Sequence, residues 1–283
     1  MATRFVPLLA GSSRAVASER VPAAAPAADA NVNLIRQEFK KQAALYAPHP
    51  KPMQFVMSEV GAVSGTALDV ASGTGAFAMA LAPLCEKVVS FDATKEMQER
   101  ARKTAAEQGH RNIEFEQGDA SDLPYPDGTF DLVVSRLAIH HFAAPGPIVD
   151  EMARVCRPGG RVVVADMLGD DDAAQRAETN RLEILRDPSH TANPTLAGLH
   201  GLLEATGRLR VLRHSGKIYE HPVPAHWWMD NTETPPEARE EIERSLLAEL
   251  AGGKRTGMRP FMDSNGTLTF FHRYCVAQGV RMA

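Results

Sequence analysis

Cysteine is scarce: the three present, Cys85, Cys156 and Cys275, are too widely spaced for a disulfide framework or a paired set of zinc ligands. A reducing compartment is the expectation. Positive charge is not in excess, with 31 Lys and Arg against 35 Asp and Glu, so no broad nucleic-acid surface is expected. No apolar run reaches the ~20 residues of a membrane span. The chain also lacks internal repeats, a Gly-Lys-Ser/Thr phosphate loop, a Gly-x-Ser-x-Gly elbow and a metal-ligand cluster. His140 and His141 are adjacent and cannot form the i, i+4 pair that chelates a metal from a helix. What remains is metal-free chemistry on a folded chain. Its 283 residues, 44% hydrophobic, suffice for one α/β domain with additions or for two small domains.

Residues 1–30 are rich in Ala and Pro, carry Arg4, Arg14 and Arg20, and have no acid before Glu19. Both a transit peptide and a disordered extension fit that composition. The expected location is soluble and intracellular, cytoplasmic by default and organellar if the stretch targets the chain. Folding is expected over 31–283. There Asn31 can cap a helix bearing Leu34, Ile35, Phe39, Ala43 and Tyr46, which Pro48-His49-Pro50 would stop.

The chain is organised around Ala67-Leu68-Asp69-Val70-Ala71-Ser72-Gly73-Thr74-Gly75, a short apolar strand running into two glycines and then an alanine-rich helix former. A strand–glycine loop–helix junction presents unpaired backbone N–H groups at a helix N-terminus. Gly73-x-Gly75-x-x-Ala78 also satisfies the dinucleotide fingerprint. Asp69 separates the readings, since a carboxylate beside the loop repels a pyrophosphate and favours a cation. Strands then read at Val88–Phe91, Ile113–Glu116, Phe130–Ser135 and Val162–Ala165, with helices between them. Such alternation implies a doubly covered parallel sheet, with ligands at the carboxyl ends of the strands. Asp92 lies at one such end and can accept from the hydroxyls of a ribose; its alternative role is a helix cap. Asp119, in Gly118-Asp119-Ala120, lies at another, with a plain Asx-turn as its alternative.

Asp-Val-Ala-Ser-Gly-Thr-Gly resembles the first motif of class I S-adenosylmethionine (SAM)-dependent methyltransferases. The segment Phe130-Asp131 to His140-His141-Phe142 is similar to the fourth motif of the UbiE-like group, the ubiquinone/menaquinone C-methyltransferase type. Arg157-Pro158-Gly159-Gly160 matches the turn into that group's fifth strand. The resemblance spans about Val32 to Gly279 and is strong over Ala67–Asp166. It implies an α/β, Rossmann-like seven-stranded methyltransferase sheet with core 62–168, an N-terminal helical lid at 31–61, and lid or cap elements at 170–206 and 222–265. It implies SAM as cofactor, held by Asp69, Ala71, Gly73, Thr74, Gly75, Asp92, Asp119, Ala120 and Arg136. The activity implied is direct methyl transfer to carbon, oxygen or nitrogen of a small-molecule substrate.

Beyond the fifth strand, Asn180-Arg181-Leu182-Glu183 and Arg186-Asp187-Pro188-Ser189-His190 look like a UbiE-like subgroup. A sixth strand is expected at Leu209–Tyr219. The insert from Pro222 to Asn265 holds His226-Trp227-Trp228-Met229 and a capping box at Thr234-Pro235-Pro236-Glu237. It reads as a cap over the substrate opening, with a homodimer surface as the alternative. His140, His141 and His190 are the candidates for removing a proton. Two other functions stay open: a SAM-binding partner protein without catalysis, and a nicotinamide-dependent oxidoreductase.

Overall fold

The structure, a computed structural model, describes residues 28–43, 50–212 and 218–283. Tyr46, Pro48, His49 and residues 1–27 lie outside the described residues, as does the middle of the expected sixth strand.

Four largely buried strands and a more exposed edge strand, β3, form the parallel part of the sheet: β1 (Thr66–Val70), β2 (Lys87–Asp92), β3 (Ile113–Gln117), β4 (Phe130–Arg136) and β5 (Cys156–Met167). They lie in the order β3-β2-β1-β4-β5, and the long β9 (Leu268–Arg281) adds antiparallel to β5. Alternation sends Leu68, Val70 and Val133 to one face, against α5 (Pro145–Val155) and α7 (Leu196–Ala205). Ala67, Leu132 and Val134 go to the other, against α2 (Pro50–Val60) and α3 (Ala76–Leu81). The strand order reverses between β1 and β4, which opens a crevice at their carboxyl ends.

Among the described residues the sheet's continuous path has the seven strands expected, and two further strands pair with β9 off that path, nine in all. The expected sixth strand is two, β6 (Leu209–Val211) and β7 (Ile218–Pro224), and β8 (Phe261–Met262) is added. β9 is long enough to do two jobs. Its second half pairs with β5 and β6, while its first half runs on to pair with β7 and β8. That extension carries a third hydrophobic cluster, shared with α6 (Ala173–Arg186), α8 (Ala225–Asp230) and α9 (Pro236–Leu250), in which Leu182, Trp228, Met229, Ile242, Leu246 and Phe270 are buried. Trp228 and Met229 therefore face this cluster and not an outer surface. Trp228→Ala should remove about 3–5 kcal/mol from it, read as a lowered melting temperature.

Two expected caps are not formed. Helix α1 (Ala28–Gln42) starts three residues before Asn31, whose buried side chain instead donates to the His141 carbonyl at 3.0 Å and accepts from the Ala143 amide at 3.0 Å. The Thr234 box fails because Pro236 pushes Pro235 out of the helical region, to φ −59° and ψ 150°, so the helix starts at Pro236. The Thr234 hydroxyl lies 2.9 Å from that of Thr232. Asp131 serves the fold as expected: it accepts from the Thr66 amide at 2.7 Å and pairs with Arg157 at 2.5 Å.

Candidate active site

Two cavities open at the carboxyl ends of the central strands and share Phe39, Leu137 and His141 as their common wall. Leu137, just after β4, and Ala71, just after β1, are non-glycine residues at φ 54° and 55°. Left-handed backbone of this kind persists where the surroundings impose it, and it gathers at functional sites.

The first cavity, about 590 Å³ including space open to solvent, is lined by Ala71, Asp92, Asp119, Ala120 and His141 among the expected residues. Val32, Ile35 and Phe39 of α1 roof it, and Phe91 and Phe142 add apolar wall. Asp92 accepts from the Gly73 amide and the Thr94 amide, both at 2.8 Å, while burial pushes its carboxyl above the ordinary range. Asp119 spends one oxygen on the Ser121 amide and hydroxyl, an Asx-turn, and leaves the other uncommitted.

Asp69, Gly73, Thr74, Gly75 and His190 line neither cavity. Asp69 is 1% exposed, beneath the loop, and neither carboxylate oxygen has a hydrogen-bond partner. Burial lifts its pKa to about 7, which the nearby Arg136 charge and Ala78 amide only partly oppose. The two glycines differ. A Cβ on Gly75 (φ 72°) would meet the Ala101 Cβ at 2.9 Å, so this glycine serves the packing of α3 on α4 (Lys95–Glu107). A Cβ on Gly73 (φ 54°) would meet nothing within 4 Å, so only this one leaves backbone open to a ligand. Gly75→Ala should therefore lower the free energy of unfolding by about 1 kcal/mol or more, a larger loss than Gly73→Ala, as a denaturant titration would read.

The second cavity, about 800 Å³ on the same measure, lies between the sheet and the α6–β7–α8 cluster and is lined by Arg136, His140 and His141. Trp227, Trp228, His221, His272 and Tyr274 supply aromatic wall. Arg186 also lines it, paired with the fully buried Glu183 at 3.0 Å and stacked over the Trp228 ring at 4.9 Å.

The three histidines are brought together, with ring centres of His140 4.2 Å from His141 and 5.4 Å from His190, but their surroundings part them. His140 Nδ1 lies 2.5 Å from Asp166 Oδ1, both groups buried, and its amide donates to Asp166 Oδ2. Burial opposes the charged imidazole, yet the charge and hydrogen bond of Asp166 outweigh it and raise the His140 pKa. His141 is pulled down to about 4 by burial and by His140. His190, lowered to about 3 by burial, contacts Asn180 at 3.2 Å. Asp166 was missed as a site residue, although it lies near the end of β5, where the strand-end rule that found Asp92 could have found it.

The sheet, its main path β3-β2-β1-β4-β5-β9-β6 with β9 antiparallel to β5, has a class I methyltransferase architecture, the fold of the solved structures it superposes on. A family model described as a methyltransferase domain matches residues 68–164. The uncharacterized methyltransferase YcgJ of Bacillus subtilis is 33% identical over 214 residues, which is 76% of this chain and 83% of YcgJ. Its crystal structure superposes with a TM-score of 0.72 at 28% identity, over 83% of this chain and 100% of that one. BH2331 from Bacillus halodurans C-125 gives 0.71 at 26% identity, over 83% and 98%. A demethylmenaquinone methyltransferase of Deinococcus radiodurans is 43% identical over 102 residues, 35% of this chain and 42% of that protein. The chain belongs to this methyltransferase family and is a SAM-dependent enzyme. Among the described residues, no helix is long and apolar enough to cross a membrane.

Proposed function

We propose that the chain methylates a small molecule held in the second cavity, with SAM in the first and His140 as the base that takes the acceptor's proton. The residues fit such a cofactor. Asp92 and Asp119 offer carboxylate oxygens to a nucleoside beside apolar wall. The partnerless Asp69 carboxylate is a negative group that a cationic ligand would hold ionised. When bound, SAM supplies an electrophilic methyl group. The chain's part is to align the acceptor, exclude water and receive a proton where the nucleophile carries one.

The observation that carries the reading is the His140–Asp166 contact at the wall of the second cavity. Asp166 holds the imidazole through Nδ1, which leaves Nε2 for the acceptor and stabilises the imidazolium formed. Arg186 is balanced by Glu183, which favours an uncharged, partly aromatic acceptor whose O–H, N–H or activated C–H becomes the nucleophile. Conversion of SAM to S-adenosylhomocysteine with a panel of neutral hydroxy- and amino-aromatic compounds tests this. SAM binding without turnover on any member would support the non-catalytic reading. Asp92→Ala should weaken SAM binding by about 1.5–3 kcal/mol per charged hydrogen bond lost, measured by calorimetry. It should also lower the melting temperature, because the Gly73 and Thr94 amides lose their acceptor.

A further inference from the structure

The string Arg186-Asp187-Pro188-Ser189-His190 lies outside the His140–Asp166 hydrogen bond, yet it supplies a chain of hydrogen bonds to the other histidine. It follows α6 and turns back, the His190 amide donating to the Asp187 carbonyl at 3.0 Å. Asp187 Oδ1 accepts from the Ser189 amide at 2.9 Å and from the Ser189 hydroxyl at 2.6 Å. Its other oxygen accepts from the side-chain amide of Gln42, on α1, at 2.9 Å. Ser189 Oγ lies 3.0 Å from His141 Nδ1. All four residues are buried.

A hydroxyl has one proton to give. Asp187 is the acceptor that claims it: burial would raise its pKa, but His141, charged only at the low pH where Asp187 titrates, the Arg186 charge and these hydrogen bonds bring it to about 2. With its proton committed at 2.6 Å, Ser189 Oγ can only accept from the imidazole. The ring proton of His141 therefore sits on Nδ1, and Nε2 is bare. The ring itself lines both cavities and packs edge-on to Phe39 of α1 at 4.9 Å.

We propose that Gln42, Asp187 and Ser189 are positioning residues that lock His141 as its Nδ1–H tautomer, so that Nε2 offers a hydrogen-bond acceptor to an O–H or N–H of the methyl acceptor at the wall between the two cavities. The proposal rests on reading those cavities as cofactor and acceptor chambers. It gives the adjacent histidines separate tasks, His140 receiving the proton of the nucleophilic group and His141 orienting the acceptor by accepting from a second O–H or N–H that it keeps. Burial and His140 keep His141 neutral, while Asp187, a hydrogen bond to the Ser189 backbone and Asp166 act in the other direction without restoring its ordinary basicity. The lock also involves α1, because Gln42 meets Asp187 from the same helix that roofs the first cavity.

Nitrogen NMR of the full chain labelled with 15N-histidine and saturated with S-adenosylhomocysteine reads this directly, with His141 assigned by its loss in His141→Gln. The wild type should show a protonated Nδ1 and a bare Nε2, unchanged as the pH falls until it nears about 4. Ser189→Ala should abolish the Nδ1–H preference, and Ser189→Thr, which keeps the hydroxyl, should restore it. A wild-type His141 protonated at Nε2, or a Ser189→Ala spectrum identical to the wild type, overturns the proposal. The wild-type tautomer decides even if a variant fails to fold. Failure of S-adenosylhomocysteine to bind would instead strike the reading of the chambers, whichever tautomer is found.

Discussion

His140→Gln is expected to slow methyl transfer by ~10²–10⁴-fold at nearly unchanged SAM affinity, because it removes a proton acceptor and leaves the first cavity intact. The pH dependence carries the signature. A histidine base works in its neutral form, and Asp166 raises the pKa of His140, so the wild-type rate should fall as the pH drops through a value above histidine's ordinary 6.5. In Asp166→Asn the charge responsible is gone; the acid limb should move to lower pH while the maximal rate falls, because the imidazolium loses its counterion. His190→Gln should change the rate far less, since His190 lines neither cavity. If His140→Gln turns over near the wild-type rate, the site works by alignment alone and the dyad is scaffold.

Asp69→Asn is expected to move stability and cofactor affinity in opposite directions. In the folded chain this carboxyl keeps its proton up to about pH 7, whereas an unperturbed carboxyl releases it near 3.8. Between those values the folded state binds more protons than the unfolded state, so the group costs stability progressively as the pH rises from about 4 to 7. With ~1.36 kcal/mol per pKa unit the loss at pH 8 is on the order of 4 kcal/mol. The amide variant carries no such penalty. It should unfold at higher temperature than the wild type at pH 8 and at nearly the same temperature at pH 4, while its SAM affinity falls at least tenfold. A variant that is less stable than the wild type at pH 8 would show that the carboxylate is paired in the ligand-free chain.

The parts of this protein legible in its sequence are those set by short-range rules. Alternating strands and helices dictated the parallel sheet, and the strand-end rule marked Asp92 and Asp119, which the structure places together on one cavity. Patterns of the UbiE-like kind pointed to the family that the YcgJ comparison shows. The failures lie where local signals compete with distant partners. Asn31 has the chemistry of a cap, but its amide is taken by His141 and Ala143, more than 100 residues away. Gly73 and Gly75 look alike in sequence, and only the approach of Ala101 tells the packing glycine from the open one.

For the histidines the division is sharpest. Sequence by itself put His140 and His141 after the fourth strand, near the reacting end of the sheet, and could not rank them, because adjacent identical side chains carry identical local information. Tertiary structure decided their chemistry by pairing each with a different group: Asp166 from β5 for His140, and Ser189 from the turn after α6 for His141. A buried carboxylate in direct contact raises an imidazole pKa, whereas burial behind a neutral hydroxyl lowers it. The two residues therefore leave their ordinary value in opposite directions, a difference that exists only once the chain has folded.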